Sequence, residues 1–93
     1  MSYFRQYMKA GNSLRITCSH PIVVLVMSDS NLHTYNLGKG ANYYGGFYFR
    51  FPITIEIPND DHWNVLFETN ELPLKRFQHS ITVVNQACET KNQ

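Results

Sequence analysis

The sequence predicts an all-β fold, a small single-domain β-sandwich or partly closed β-barrel of six to seven short antiparallel strands. Three observations lead there. Apolar residues recur at period two along most of the chain, and no window of helical length carries an i, i+3, i+4 stripe. Turn chemistry at Gly11-Asn12, Asp29-Ser30-Asn31 and Pro58-Asn59-Asp60-Asp61 punctuates the alternation at short intervals. At 93 residues and 43% hydrophobic content the chain has enough apolar mass for one core and no room for a second. Alternation alone leaves sandwich and barrel both open, because closure depends on strand pairing.

The elements follow in order. Tyr3–Ala10 reads as a short first strand. Leu14, Ile16 and Cys18 alternate with Arg15 and Thr17, giving a half-buried strand entered from Gly11-Asn12. Ile22–Met27 is apolar at every position, as a strand covered on both faces would be. The Ser19-His20-Pro21 break makes a hairpin or a corner between those two runs. Asp29-Ser30-Asn31 is assigned to a turn, and no helix of consequence is expected. Leu37–Asn42, with Gly38 and Gly40, reads as a mobile loop.

Phe47, Phe49 and Phe51 share one strand face and are placed in the core, with Tyr48 and Arg50 outside. Gly45-Gly46 ahead of them marks a bulge or a close backbone approach. Pro52 opens the next strand, in which Ile53, Ile55 and Ile57 point in and Thr54 and Glu56 out. Trp63, Val65 and Phe67 alternate with Asn64, Leu66 and Glu68, which puts Trp63 at the centre of the core. Asn70–Gln78, holding Pro73 and Lys75-Arg76, is a long connection, and Ile81–Val84 is the last strand. The domain is expected to span residues 1–86, with 87–93 a polar, frayed tail.

Composition narrows the function. Eight basic against seven acidic residues, a net charge of +1, disfavour a dedicated phosphate-backbone binder. Pro21–Met27 is far too short to span a bilayer, no like-charge run suggests a polybasic anchor, and MSYFRQYMKAG lacks the apolar core of a secretory leader. A cytoplasmic protein without membrane association is therefore expected. In that compartment Cys18 and Cys88 should be free thiols, Cys18 buried and inert.

The motifs also carry a family likeness. Ala10–His20 (AGNSLRITCSH), Met27–Asn31 (MSDSN), Tyr35–Gly38 (YNLG), Tyr43–Phe47 (YYGGF), Phe51–Pro58 (FPITIEIP) and His62–Val65 (HWNV) stand in the same order as in the bacterial family known as domain of unknown function 1883, which the chain resembles from about Ala10 to Phe67. His62 departs from that pattern, which tends to glycine there. The resemblance implies a small all-β domain that stands alone or precedes a TIR domain in signalling or immune effectors. No TIR domain fits in this chain, so such an effector would be a separate partner.

Aromatic density from Tyr35 to Trp63 is the main functional signal. Tyr35, Tyr43, Tyr44 and Tyr48, with Arg50, Asn31 and Asn64, are the candidate residues for binding a protein partner or a small molecule, since tyrosine offers apolar area plus a hydrogen-bonding handle. Single-stranded nucleic-acid binding through the same segment is the alternative. It is not favoured, because the phenylalanine face is assigned to the core and a basic excess is missing. His20, His33, His62 and His79 are scattered without ligand spacing, so neither a metal nor another cofactor is expected. Asp60-Asp61-His62 solvates a turn more readily than it forms an acid–base site, and Cys18 or Ser19 beside a histidine lacks the context of a nucleophile, so no enzyme is expected. Unprotected edge strands leave a homodimer open.

Overall fold

The computed structural model describes residues 4–68 and 77–85. Seven strands and one helix follow in order: β1 (Phe4–Met8), β2 (Ser13–Cys18), β3 (Ile22–Ser28), α1 (Asp29–Asn36), β4 (Tyr44–Tyr48), β5 (Ile53–Glu56), β6 (Asp61–Glu68) and β7 (His79–Val84). They form two antiparallel sheets, β1-β6-β3-β4 and β5-β2-β7. Neither closes on itself, and the inner faces share one core, so the fold is a sandwich and not a barrel.

The predicted alternation accounts for that core. Leu14, Ile16, Cys18, Ile55 and Ile57 from one sheet meet Ile22, Val24, Val26, Trp63, Val65 and Phe67 from the other. Ser19–Pro21 is a corner: it carries the chain from β2 in one sheet to β3 in the other, since β2 pairs with β5 and β7 only. The predicted connection over Asn70–Gln78 lies mostly outside the described residues, as do the tail and Cys88.

β3 is covered on both faces, as its continuous apolar run requires. Its second face, Leu25 and Met27, joins Leu66 of β6 in a smaller buried cluster against which Leu32 and Tyr35 of α1 pack. Burial of β6 is correspondingly unbroken from Trp63 to Phe67. Asn64 and Leu66, which alternation put outside, are therefore interior.

The helix corrects the assignment of Asp29-Ser30-Asn31 to a simple turn. Ser28 is its N-cap, with Oγ accepting from the Asn31 amide at 3.4 Å, and Asp29 sits in the first turn, where the helix dipole favours a carboxylate. The Leu37 and Gly38 amides close its C-terminus on carbonyls of the last turn, and Gly38 takes φ 77°, a left-handed value. A short polar Ser-Asp-Ser-Asn run serves a turn and an N-cap equally well. No residue of α1 is fully buried, so it carries no apolar stripe that would have separated the two.

A clasp holds α1 to the sheet. Arg5 on edge strand β1 donates from Nε to Asp29 Oδ1 at 3.1 Å and from Nη2 to Oδ2 at 2.6 Å, and Asn64 Nδ2 donates to the same Oδ1 at 2.8 Å. The hydrogen bonds from Arg5 first, then from Asn64, hold the Asp29 carboxyl down at about 2. A depressed folded value stabilises above the unfolded value near ~3.9 and is lost as pH falls through the folded one. Thermal melts of the wild type and Asp29→Asn should therefore stand apart at pH 7 and converge between pH 4 and pH 2. A gap independent of pH would show that the carboxylate contributes nothing through its charge.

A second correction concerns Phe47 and Phe49; Phe51, placed in the core with them, does pack against it, partly buried. Phe47 and Phe49 are among the most exposed large side chains described, at 62% and 64%, while Tyr48 is half-buried against the core. The strand ends at Tyr48, and the chain crosses at Phe49–Pro52 from the first sheet to the second, through a cis Phe51-Pro52 peptide. Crossing resets the phase: even-numbered residues face inward in β4, odd-numbered ones in β5. Ile53, Ile55 and Ile57 do point in, as expected.

Candidate functional site

β4 pairs with β3 through Val26↔Tyr44, Leu25↔Gly45, Val24↔Gly46, Val23↔Phe47 and Ile22↔Tyr48. It is the last strand of its sheet, and among the described residues nothing pairs with its other side. The expected close backbone approach is present at Gly45. A Cβ there would lie 2.1 Å from the Val24 carbonyl oxygen, and φ is 120°, so a glycine is needed on both counts.

Facing follows from the pairing. Tyr44, Gly46 and Tyr48 share the inner face with Ile22, Val24 and Val26, and Gly45 and Phe47 share the outer face with Val23 and Leu25. The Tyr44 ring stands edge-on to Trp63 at 6.0 Å and is half exposed at the rim of the core. Phe47 and Phe49 stack at 6.3 Å, and the Arg50 guanidinium lies 5.6 Å from the Phe49 ring, within reach of a cation–π contact. Tyr43, also half exposed, precedes them. The result is a solvent-facing aromatic strip along an open strand edge.

Of the sequence-derived candidates, Tyr43, Tyr44, Tyr48 and Arg50 come together on this segment. Asn31 supports it from α1: its side chain donates to Ser28 Oγ at 3.1 Å and accepts the Asn42 amide at 3.2 Å, which tethers the chain just ahead of β4. Tyr35 lies apart, on α1 against Leu25, Met27 and Leu66. Asn64 is wholly buried, its amide donating to the Met27 carbonyl at 3.3 Å and to Asp29. Phe47 and Phe49 were missed as surface residues. One signal for them exists: inward alternation from Phe47 to Ile57 would demand a strand of eleven residues, about twice the usual length. The strand boundary that the sequence sets at Pro52 accords with that limit, and a change of phase can come with it.

The other constellations are occupied structurally. Trp63 is buried and its indole N–H donates to the Asn59 carbonyl at 3.0 Å. Asp60 accepts the Ala10 amide at 2.8 Å, Asp61 accepts the His62 amide at 2.7 Å, and the His62 ring meets Tyr7 edge-on at 5.3 Å. Ser19 Oγ, 2.6 Å from His20 Nδ1, also accepts the Gln78 amide at 2.9 Å and so joins the end of β2 to the entry of β7. A shallow depression of about 260 Å³ there is lined by Thr17, Cys18, Ser19, Gln78, His79 and Ser80, none of them in the aromatic strip. Burial pushes the Cys18 thiol up to about 11, so little of it is thiolate at neutral pH. Among the described residues no His, Cys, Asp or Glu groups of three come close enough to hold a metal ion, and no helix is long and apolar enough to cross a membrane.

Fold and surface together define a small all-β sandwich domain whose most distinctive face is an aromatic strand edge. The chain belongs to the family described as Domain of unknown function (DUF1883), which it matches over residues 1–86. The family thus extends past Phe67, where the motif likeness ends, and takes in β7. No curated protein and no solved structure matches the chain.

Proposed function

We propose that this protein is a non-catalytic interaction module that recognises a protein partner through the Tyr43–Arg50 segment. One observation carries the reading: Tyr43, Tyr44, Phe47 and Phe49 expose their rings along an open strand edge beside Arg50. Aromatic rings and arginine are the side chains that dominate protein contacts when they become desolvated. A small-molecule ligand is less well served, because the depression by Cys18 includes none of the strip and is smaller than the roughly 300–1,000 Å³ of most ligand sites. The family likeness supports a bacterial setting in signalling or defence, and the composition a cytoplasmic one.

The test is recovery of tagged protein from its host lysate, read by native mass spectrometry, for the wild type and a Tyr43→Ser/Phe49→Ser variant. A protein held by the wild type and depleted roughly tenfold or more in the variant is expected. Equal recovery by both would end this reading, and an added mass of a few hundred daltons would redirect it to a small ligand.

Single-stranded nucleic acid is the second reading, favoured by one finding. Phe47 and Phe49 stack on the surface beside Arg50 and not in the core, so rings are available on which bases could stack. The charge balance still opposes it. A salt-sensitive oligonucleotide complex abolished by Phe47→Ala would establish it, and fluorescence anisotropy flat up to high protein concentration would dismiss it.

A further inference from the structure

We propose that the partner for the β4 edge is a second copy of this chain, paired antiparallel about Gly46 so that two four-stranded sheets become one of eight. The inference rests on reading Tyr43–Arg50 as an interaction surface, and goes beyond it by naming the occupant.

The argument is the strand's complementarity to itself. Around a two-fold axis at Gly46, Gly46 faces Gly46 of the second copy, Gly45 faces Phe47, and Tyr44 faces Tyr48. One step further out Tyr43 faces Phe49. On the outer face each Phe47 ring then lies over the bare backbone of Gly45 across the junction, the aromatic–glycine pairing that fills the gap an edge glycine leaves. Bulk meets absence of bulk at the centre, and aromatic meets aromatic at the flanks. No charge lies within Tyr44–Tyr48, so no repulsion opposes the contact.

The other edges lack these properties. β1 presents Arg5 and Gln6 and is engaged through Arg5 with Asp29, β5 is only four residues long and ends in Glu56, and β7 is exposed at His79, Ser80 and Thr82. Natural edges are usually blunted by lysine, proline or charge. Tyr44–Tyr48 has none of these, and with its two flanking residues it carries most of the exposed apolar bulk described: Tyr43, Tyr44, Phe47 and Phe49, against Tyr7 and Leu37 elsewhere. A contact of this length is at the small end of stable interfaces, so a dissociation constant on the order of 1–100 μM is expected.

Sedimentation equilibrium of the full chain from about 1 to 300 μM, a range set by that expectation, tests the proposal. The wild type should pass from the 10.8 kDa chain to twice that mass. Phe47→Ser should weaken the dimer roughly tenfold or more, while melting near the wild type because Phe47 is already exposed. Register is tested in a Cys88→Ser background under mild oxidation. Tyr43→Cys combined with Phe49→Cys should give a disulfide-linked dimer, and either alone should not, because like positions lie roughly 20 Å apart across the axis. A wild-type chain monomeric throughout overturns the proposal, as does a dimer indifferent to Phe47→Ser or single-cysteine chains that cross-link as well as the double one. Should the chain be monomeric while Tyr43→Ser/Phe49→Ser still loses a protein from lysate, self-pairing fails and the interaction module stands. If that capture is also unchanged, both fail.

Discussion

Gly45→Ala should lower the stability of this domain by about 3–5 kcal/mol, close to the whole margin of a domain this small. Two costs add. An L-residue at φ 120° is strained by about 1–3 kcal/mol. The new methyl would also meet the Val24 carbonyl oxygen at 2.1 Å, and that oxygen is backbone of the central strand β3, which cannot yield without parting the β3–β4 ladder. At roughly 4–8 °C per kcal/mol for a chain of this length, the melting temperature should fall by more than about 12 °C. Gly38→Ala is the internal control. Its φ of 77° is also left-handed, but nothing lies within 4 Å of its Cβ, so it should cost only about 1 kcal/mol. If the two variants melt within a few degrees of each other, β4 does not lie against β3 as described.

The same crossing that creates the aromatic edge explains what was legible in the sequence. Where a strand stays in one sheet and has one covered face, period two reports burial faithfully, as at Leu14, Ile16 and Cys18 or at Ile53, Ile55 and Ile57; β6, covered on both faces, hid Asn64 and Leu66 from it. Ile22–Met27 was legible for a related reason: a run with no polar position needs cover on both sides, and β3 has it. Phe47 and Phe49 failed because the strand before Pro52 was given the same odd-numbered inward phase as the strand after it, although the chain changes sheets between them. Once Tyr48 faces in, Phe47 and Phe49 must face out. The helix was illegible for a different reason. Its packing rests on Leu32 and Tyr35 alone, and two residues make no pattern. Tyr43, Tyr44, Tyr48 and Arg50 could be gathered because they are neighbours in sequence. The roles of Asn31 and Asn64 could not, because each depends on a partner that only the fold brings near.

Partial cover on the outer face links these points. α1 shields Leu25, Met27 and Leu66 on the two central strands, so that face of β3 and β6 is interior. Phe47 lies beyond it, on the edge strand. Its exposure thus results from a helix of eight residues, about 12 Å long, which is too short to shade a four-stranded sheet. An apolar strip at the margin of a covered face continues the interior out to solvent, so a partner seated there would extend an existing layer.

Asn64→Asp is the sharper test of that layer, because it changes no shape and reverses one hydrogen-bonding group. Asn64 is fully buried and donates to two acceptors, the Met27 carbonyl and Asp29 Oδ1. A carboxylate in its place would turn an acceptor toward both, and would set a second negative charge about where a neutral donor now touches Asp29. Breaking a buried polar arrangement in this way costs about 3–5 kcal/mol at pH 7, unless the protein folds with the new carboxyl protonated. Either route fixes the sign with pH. Burial and the adjacent Asp29 raise the folded value of the new group above its unfolded ~3.9, so below about pH 4 only the loss of one of the two donated hydrogen bonds remains, and the charge penalty grows by up to ~1.4 kcal/mol per pH unit above it. The wild type has no such slope, since Asp29 favours the folded state as pH rises from about 2 to 4 and its contribution is complete above that. Denaturant unfolding at pH 4, 5.5 and 7 should therefore show the two proteins diverging as pH increases. Curves that stay parallel would place Asn64 outside the clasp, and α1 would then owe its seat to Leu32, Tyr35 and Arg5 alone.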